Sequence, residues 1–223
     1  MMTMNKAICF TSICVFCSLQ TSMAAPFEKG NILVRGGIAH VEPNDSSSEV
    51  TGIAESSVGV DADTQLGLTG SYFFNENLAL GLLASTPFSH DVIANGSIEG
   101  LGRIAEATQL PPTLTLQYHF SGSNKLKPYV GLGFNYTIFF DENSTSALDS
   151  ALGGQTDVSL DNSFGVALEA GIDIALSDKW YLNVSAWYID IDTTASLTTG
   201  STVREVNVDV DPLVGLIAIG YRF

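Results

Sequence analysis

Pro111-Pro112-Thr113-Leu114-Thr115-Leu116-Gln117-Tyr118-His119-Phe120, then Ser121 to Lys127, then the run Pro128-Tyr129-Val130-Gly131-Leu132-Gly133-Phe134-Asn135-Tyr136-Thr137-Ile138-Phe139-Phe140 decide how the chain is read. Leu114, Leu116, Tyr118 and Phe120 alternate with Thr113, Thr115, Gln117 and His119. In the second run Val130, Leu132, Phe134, Tyr136 and Ile138 alternate with Gly131, Gly133, Asn135 and Thr137. A period of two is the strand signal, because successive side chains point to opposite faces. Each run is about ten residues, the length of a tilted strand that crosses a bilayer. Aromatic residues stand at the run ends, where a membrane barrel carries its girdles. A single hairpin of a soluble sandwich would look similar, so recurrence of the unit is what decides.

It recurs. The runs Asn31 to Val41, Gln65 to Phe74 and Leu78 to Ser85 precede the pair, and Phe164 to Leu176, Trp180 to Tyr188 and Leu213 to Phe223 follow it. The connections come in two sizes. Asn75-Glu76-Asn77, Ser121 to Leu126 and Ser177-Asp178-Lys179 are short and polar, whereas residues 42–64, 88–110, 141–162 and 189–211 are long and rich in Asp, Glu, Ser, Thr and Gly. Strict alternation of short turns with long loops is the outer-membrane pattern, with the short turns in the periplasm. The expected fold is all-β: an eight-stranded antiparallel transmembrane β-barrel with short periplasmic turns and long extracellular loops. One short helical turn is expected at Thr145 to Leu152, and a bulge where the last run changes phase at Asp211-Pro212.

The first 24 residues read as a signal peptide. Lys6 supplies the positive region, Ala7 to Leu19 the apolar stretch and Ser22-Met23-Ala24 the small-x-small cleavage site. The remaining residues, 25–223, form one barrel domain. No apolar run reaches about 18 residues, so no helix is expected to span a membrane. Cys9, Cys14 and Cys17 all lie in the leader, so the exported domain uses no disulfide framework.

Lys6 is the leader's one charge, so the mature chain carries 8 basic against 24 acidic residues, a net charge of −16. That balance excludes nucleic-acid binding through phosphates. Within the spans the charges keep to one phase. Arg35, Glu169, Asp173 and Arg222 fall inward, whereas an outward charge at the midplane would cost ~2–4 kcal/mol. Because an unpaired buried charge is costly, Arg35 is expected to pair with Glu169 or Asp173 in a charged plug.

Five segments resemble the OmpW family of small outer-membrane proteins, in the family order. They are Leu83-Ala84-Ser85-Thr86-Pro87-Phe88, Leu110-Pro111-Pro112-Thr113-Leu114, Pro128 to Tyr136, Trp187-Tyr188-Ile189-Asp190-Ile191-Asp192-Thr193-Thr194, and Gly220-Tyr221-Arg222-Phe223. The resemblance implies the outer membrane of a Gram-negative bacterium, and a narrow, mostly apolar channel for passive uptake of small hydrophobic compounds. Terminal Tyr221 and Phe223 resemble the signal read by outer-membrane assembly machinery.

An eight-stranded barrel is filled by its own side chains, which excludes a wide aqueous pore. Leu83, Pro87, Phe139 and Trp187 are expected to line an apolar upper lumen; large inward side chains also simply fill a small barrel. The charged lower half would obstruct onward travel, leaving lateral exit into the bilayer at Pro87, where the third strand lacks a ladder donor. The alternative is a non-transporting surface protein, an adhesin or receptor acting through acidic outer loops that meet lipopolysaccharide. An enzyme is not expected. His40, His90 and His119 sit in no triad motif, and there is no metal-spaced cluster or glycine-rich phosphate loop, so no cofactor or metal is expected. The expected partners are membrane lipids, lipopolysaccharide, apolar solutes and the assembly machinery.

Overall fold

The computed structural model describes residues 25–121 and 125–223, so the expected leader, with Lys6, its cysteines and the expected cleavage site, lies outside the described residues, as does the middle of the Ser121 to Leu126 turn. In chain order the elements are β1 (Ile32–Glu42), β2 (Ser46–Ser47), β3 (Ser56–Val60), β4 (Asp63–Phe73), β5 (Leu78–Ser85), β6 (Phe88–Gly96), a 3-10 turn (Glu99–Leu101), β7 (Arg103–Leu110), β8 (Thr113–His119), β9 (Leu126–Ser144), α1 (Ser146–Leu152), β10 (Thr156–Leu160), β11 (Ser163–Ala175), β12 (Trp180–Ile189), β13 (Asp192–Thr199), β14 (Thr202–Asp209) and β15 (Leu213–Arg222).

Eight of these strands close a ring through the antiparallel pairings β1–β4–β5–β8–β9–β11–β12–β15–β1. The closing ladder runs from Leu33 opposite Arg222 to Glu42 opposite Leu213. Alternation in the sequence becomes the two faces of this wall. Leu66, Leu132, Phe164 and Ile217 are each more than 60% exposed, on the outer face, while Ala79, Ala167, Asp173 and Asn183 are fully buried between them in phase. Outward aromatics gather at the periplasmic end, where Tyr72 meets Phe74, Tyr118 meets Phe120, and Tyr221 meets both Trp180 and Phe223. Aromatic rings at that depth match the membrane–water interface, where an apolar body and a polar tip are both accommodated.

The four long connections between the spans are themselves largely strands, a detail that the sequence reading did not resolve. β6 pairs with β3 and β7, β7 pairs with the upper part of β9, and β13 pairs with β10 and β14, which reaches β2. They carry the wall beyond the membrane. Their alternation is inverted: Val158, Ala195, Leu197, Val206 and Val208 point inward and are buried, and Asp157, Ser159 and Asn207 point out. A strand in water needs no apolar outer face, so its polar residues made it resemble a loop. The expected helical turn forms as α1, with Thr145 Oγ1 accepting from Leu148 N and Gly153 closing it at φ +83. At Asp211-Pro212 the expected bulge is a full break between β14 and β15, with Asp211 at φ +38.

Two inward glycines make space for large polar neighbours. A Cβ on Gly171 would lie 2.5 Å from the Tyr129 ring, and one on Gly131 would lie 2.9 Å from Glu169 Oε2. The Tyr129 ring is itself stacked on His119 and faces the Arg35 guanidinium, so it has little room to retreat. Gly171→Val is therefore expected to destabilise the barrel by about 1–3 kcal/mol through overpacking. The check is the unfolding midpoint in urea, read from the gel shift between folded and unfolded barrel; a midpoint equal to wild type would refute the tight packing.

Candidate functional site

The lumen is built in layers, and the periplasmic layer is aromatic. Phe27, on the segment leading into β1, is buried against Phe73 at 4.1 Å between ring centroids, His119 at 5.5 Å and Tyr181 at 5.7 Å. Lys127 Nζ stands over the Phe27 ring at 4.8 Å. Arg222 caps this end, donating from Nη1 to the carbonyls of Ala25 and Pro26 and from Nη2 to that of Asp178.

Above it lies a polar belt. Arg35 and Asp173 are both fully buried and meet as a two-pronged ion pair, Nε to Oδ1 at 2.8 Å and Nη2 to Oδ2 at 2.7 Å. Arg35 Nη1 donates to Ser71 Oγ, which donates to Gln117 Oε1. The Gln117 amide and the Thr115 hydroxyl both donate to Glu169, and Asn183 donates to Asp173 Oδ1 and Tyr129 Oη. The fork geometry of arginine suits a carboxylate, and the remaining lone pairs are occupied, which is what a buried pair requires.

Over the belt, Ala39, Leu83, Ala167, Trp187 and Leu216 form an apolar floor, continuous with the inward residues of the upper wall. Beyond that floor the lumen opens into a cavity of about 380 Å³. Its wall comes from every upper strand except the short β2, and includes Val58, Ile104, Phe139, Leu148, Val158 and Val206. The polar residues on the wall are Ser97, Thr193, His90 and Gln109.

The site residues expected from the sequence divide accordingly. Arg35 takes Asp173, not Glu169, as its ion partner, because Glu169 lies two inward positions away along β11 and is held by Thr115 and Gln117. Arg222 is not in that plug; it is half-buried at the periplasmic mouth, where three carbonyls hold it. Phe139 lines the cavity, whereas Leu83 and Trp187 are buried in the floor beneath it. Pro87 is exposed on the wall rather than inward, since the break between β5 and β6 turns it out. The pairing of β5 with β8 stops at Leu83 opposite Thr113 and resumes between β6 and β7 at Phe88 opposite Gln109, leaving a gap in the ladder beside Pro87. Most of the cavity wall was missed because it lies in the stretches taken for loops. The alternation of Val206, Val208 and Val210 was the signal that would have revealed it. Lys127 and His119, inward on the strand phase, were likewise not placed in the plug.

At the outer rim, Asp190, Asp192 and Asp211 bring carboxylate oxygens within 4.8 Å of one another, and Asp192 also stands opposite Asp209 across β13–β14. Partial burial, with Asp190, Asp209 and Asp211 around it, raises the Asp192 carboxyl above the usual carboxylate range.

A closed eight-stranded wall with an apolar outer band, aromatic rings at its end and a filled, charged lumen defines a small outer-membrane β-barrel protein. The chain belongs to the OmpW family, whose model matches residues 28–223. It is 41% identical over 222 residues to outer membrane protein W of Vibrio cholerae serotype O1, covering 99% of this chain and 100% of that protein. It is 30% identical over 166 residues to outer membrane protein AlkL of Ectopseudomonas oleovorans, covering 74% and 69% of the two chains. The crystal structure of the outer membrane protein OprG from Pseudomonas aeruginosa superposes with a TM-score of 0.81 at 42% identity, covering 91% of this chain and 99% of that one. The protein resides in the outer membrane of a Gram-negative bacterium, and the three relatives just named bear the names of outer-membrane proteins.

Two predictions follow from these layers. Arg35→Ala leaves Asp173 buried without its cation and is expected to cost about 3–5 kcal/mol. Lys179→Ala, in a wet turn where the ammonium only overhangs the Tyr221 ring at 5.6 Å, is expected to cost ~0–1 kcal/mol. Urea midpoints of the two variants decide, and equal midpoints would refute the buried pair. At the rim, a folded carboxyl raised above its unfolded value binds its proton more tightly when folded. Its stabilising effect is therefore present at low pH and lost as pH rises through the folded value. Asp192→Asn is expected to slow amide exchange in β13 and β14 at neutral pH, with the difference from wild type vanishing in acid.

Proposed function

We propose that the protein admits small hydrophobic compounds passively through the outer membrane, taking them into the apolar cavity from the cell exterior. The cavity carries the reading: about 380 Å³ of nearly unbroken apolar wall at the outer end of the lumen. Burial of apolar surface stabilises a bound solute by roughly 25 cal/mol per Å², and a mostly apolar concavity of this volume falls within the range of small-molecule sites. Onward travel to the periplasm meets the floor at Leu83 and Trp187 and then the Arg35–Asp173 belt, where an apolar solute would displace satisfied polar groups. The exit is therefore sideways into the bilayer, through the gap in the ladder beside Pro87. In this reading Phe139 lines the path, Leu83 and Trp187 set its lower limit, and Arg35, Glu169 and Asp173 close the lumen below. Arg222 belongs to the closing end. Tyr221 and Phe223 are offered to the assembly machinery at the same time as they serve in the girdle. Residues 1–24 direct export and are removed, and the acidic outer face meets lipopolysaccharide.

The test is the initial rate of naphthalene entry into cells, at surface abundance matched to wild type. Ala107 lies inward on the cavity wall and is buried, so Ala107→Phe occupies the space without adding charge. It is expected to reduce entry several-fold. Leu83→Asp, which puts a carboxylate in the floor, is expected to reduce it as well. If Ala107→Phe assembles and entry equals wild type, the cavity is not the route, and a surface protein acting through its acidic outer face becomes the better account.

A further inference from the structure

Four polar residues interrupt the apolar cavity wall, and two of them are already spent. Ser97 Oγ donates to the Ala54 carbonyl at 2.7 Å, and Thr193 Oγ1 donates to the Asp161 carbonyl at 2.7 Å. The other two, His90 and Gln109, form a buried pair with one bond missing. His90 Nδ1 lies 2.6 Å from the Asp61 carbonyl, and His90 Nε2 lies 2.9 Å from Gln109 Nε2. A carbonyl can only accept, so Nδ1 carries the proton and Nε2 of the neutral ring is an acceptor. The Gln109 amide nitrogen must then face the ring, and the opposite orientation would need both ring nitrogens protonated. This fixes the other end of the amide. Gln109 is 2% exposed, and its Oε1 is a buried acceptor with no hydrogen-bond partner.

Such an atom is unusual, because buried polar groups are nearly always paired. Gln109 sits on the cavity wall and at the rung opposite Phe88, where the ladder resumes beside the gap at Pro87. A solute passing from cavity to gap therefore passes this acceptor.

We infer that the cavity selects, among apolar molecules of similar size, those bearing one hydrogen-bond donor, a hydroxyl or an amide N–H, with Gln109 Oε1 receiving it after a small turn of the amide. His90 is the positioning residue: its unprotonated nitrogen holds the amide nitrogen and so presents the oxygen. This rests on the reading of the cavity as the place where apolar solutes bind. The substrate class narrows from hydrocarbons in general to weakly polar compounds such as alcohols and phenols. Their donor would otherwise enter an apolar site unpaired and lose the advantage of its ring or chain. A site that hydrogen-bonds one group also rejects analogues lacking it, since its own buried partner then stays unpaired.

The experiment uses the full barrel in lipid nanodiscs, titrated calorimetrically with 2-naphthol and with 2-methylnaphthalene after subtraction of the heats from empty nanodiscs. The two probes share a bicyclic ring, and the hydroxyl of one is a methyl group in the other. Gln109→Leu, close in volume, is expected to weaken 2-naphthol about tenfold while leaving 2-methylnaphthalene at wild-type affinity or tighter. His90→Phe, which releases the amide from its orientation, is expected to weaken 2-naphthol in the same direction and by less. It also decides the matter should Gln109→Leu fail to show the gel shift of a closed barrel. Equal changes for both probes, or none for either, overturn the donor selection while leaving the apolar cavity intact. Failure of wild type to bind either probe overturns both the selection and the uptake reading on which it rests.

Discussion

A backbone in hydrocarbon has no water to satisfy its N–H and C=O groups, and each group left open costs several kcal/mol. The ladder that joins β1 to β15 runs over ten paired positions, Leu33 to Glu42 against Arg222 to Leu213. Left unmade, it would expose a number of polar groups whose summed cost exceeds the ~5–15 kcal/mol that hold an ordinary domain together. Closure is therefore the condition for every other feature. It sends one face of each strand to lipid and the other into a lumen that side chains fill over the membrane-spanning part. Any inward charge must then find its partner inside, as Arg35 does with Asp173.

Where the wall leaves the membrane, its chemistry reverses. Within the bilayer many inward residues are large or polar, including Arg35, Gln117, Tyr129, Glu169 and Trp187, and together with small ones such as Ala79 and Ala167 they fill the lumen. Above it the inward residues are mostly apolar, including Val58, Ala107, Val158, Ala195 and Val206. The apolar side chains of this upper wall leave space between them, and the cavity lies there, beyond the apolar floor. The reversal occurs at irregular backbone. Asp190-Ile191 and Asp211-Pro212 separate the lower strands from the upper ones on one side, and Thr86-Pro87 and Pro111-Pro112 do so on the other. Proline has no N–H to offer a ladder, so it can end one strand's pairing, while the inward phase carries through, from Gln109 to Thr113 and from Val210 to Val214.

In the proposed uptake reading, this geometry gives a small apolar molecule a place to enter and a closed way down. The belt of Arg35, Asp173, Glu169, Gln117 and Asn183 is bonded to itself, so it resists both water and apolar solutes. The ladder gap at Ala84 to Pro87 is the weaker boundary, since parting two strands where no hydrogen bond joins them costs less than opening a paired rung. Gln109, with its open acceptor, stands at the edge of that gap.

The sequence by itself determined the membrane-spanning wall. The alternation of Leu114, Leu116 and Tyr118 with Thr115 and Gln117, repeated along the chain and divided by short and long connections, was enough to give the strands, their faces and the inward phase of Arg35, Glu169 and Asp173. It did so because lipid constrains each strand locally: the outer face must be apolar at every second residue, whichever strand lies next to it. Only the tertiary structure decided that Asp173 rather than Glu169 takes Arg35, that Pro87 faces outward, that residues 42–64, 88–110, 141–162 and 189–211 extend the wall, and that they enclose a cavity. These depend on register between strands far apart in the chain and on the sizes of side chains meeting across the lumen. In water, an outer face can be polar without betraying the strand that carries it, so the period that marked the spans was inverted there and its meaning came only from closure.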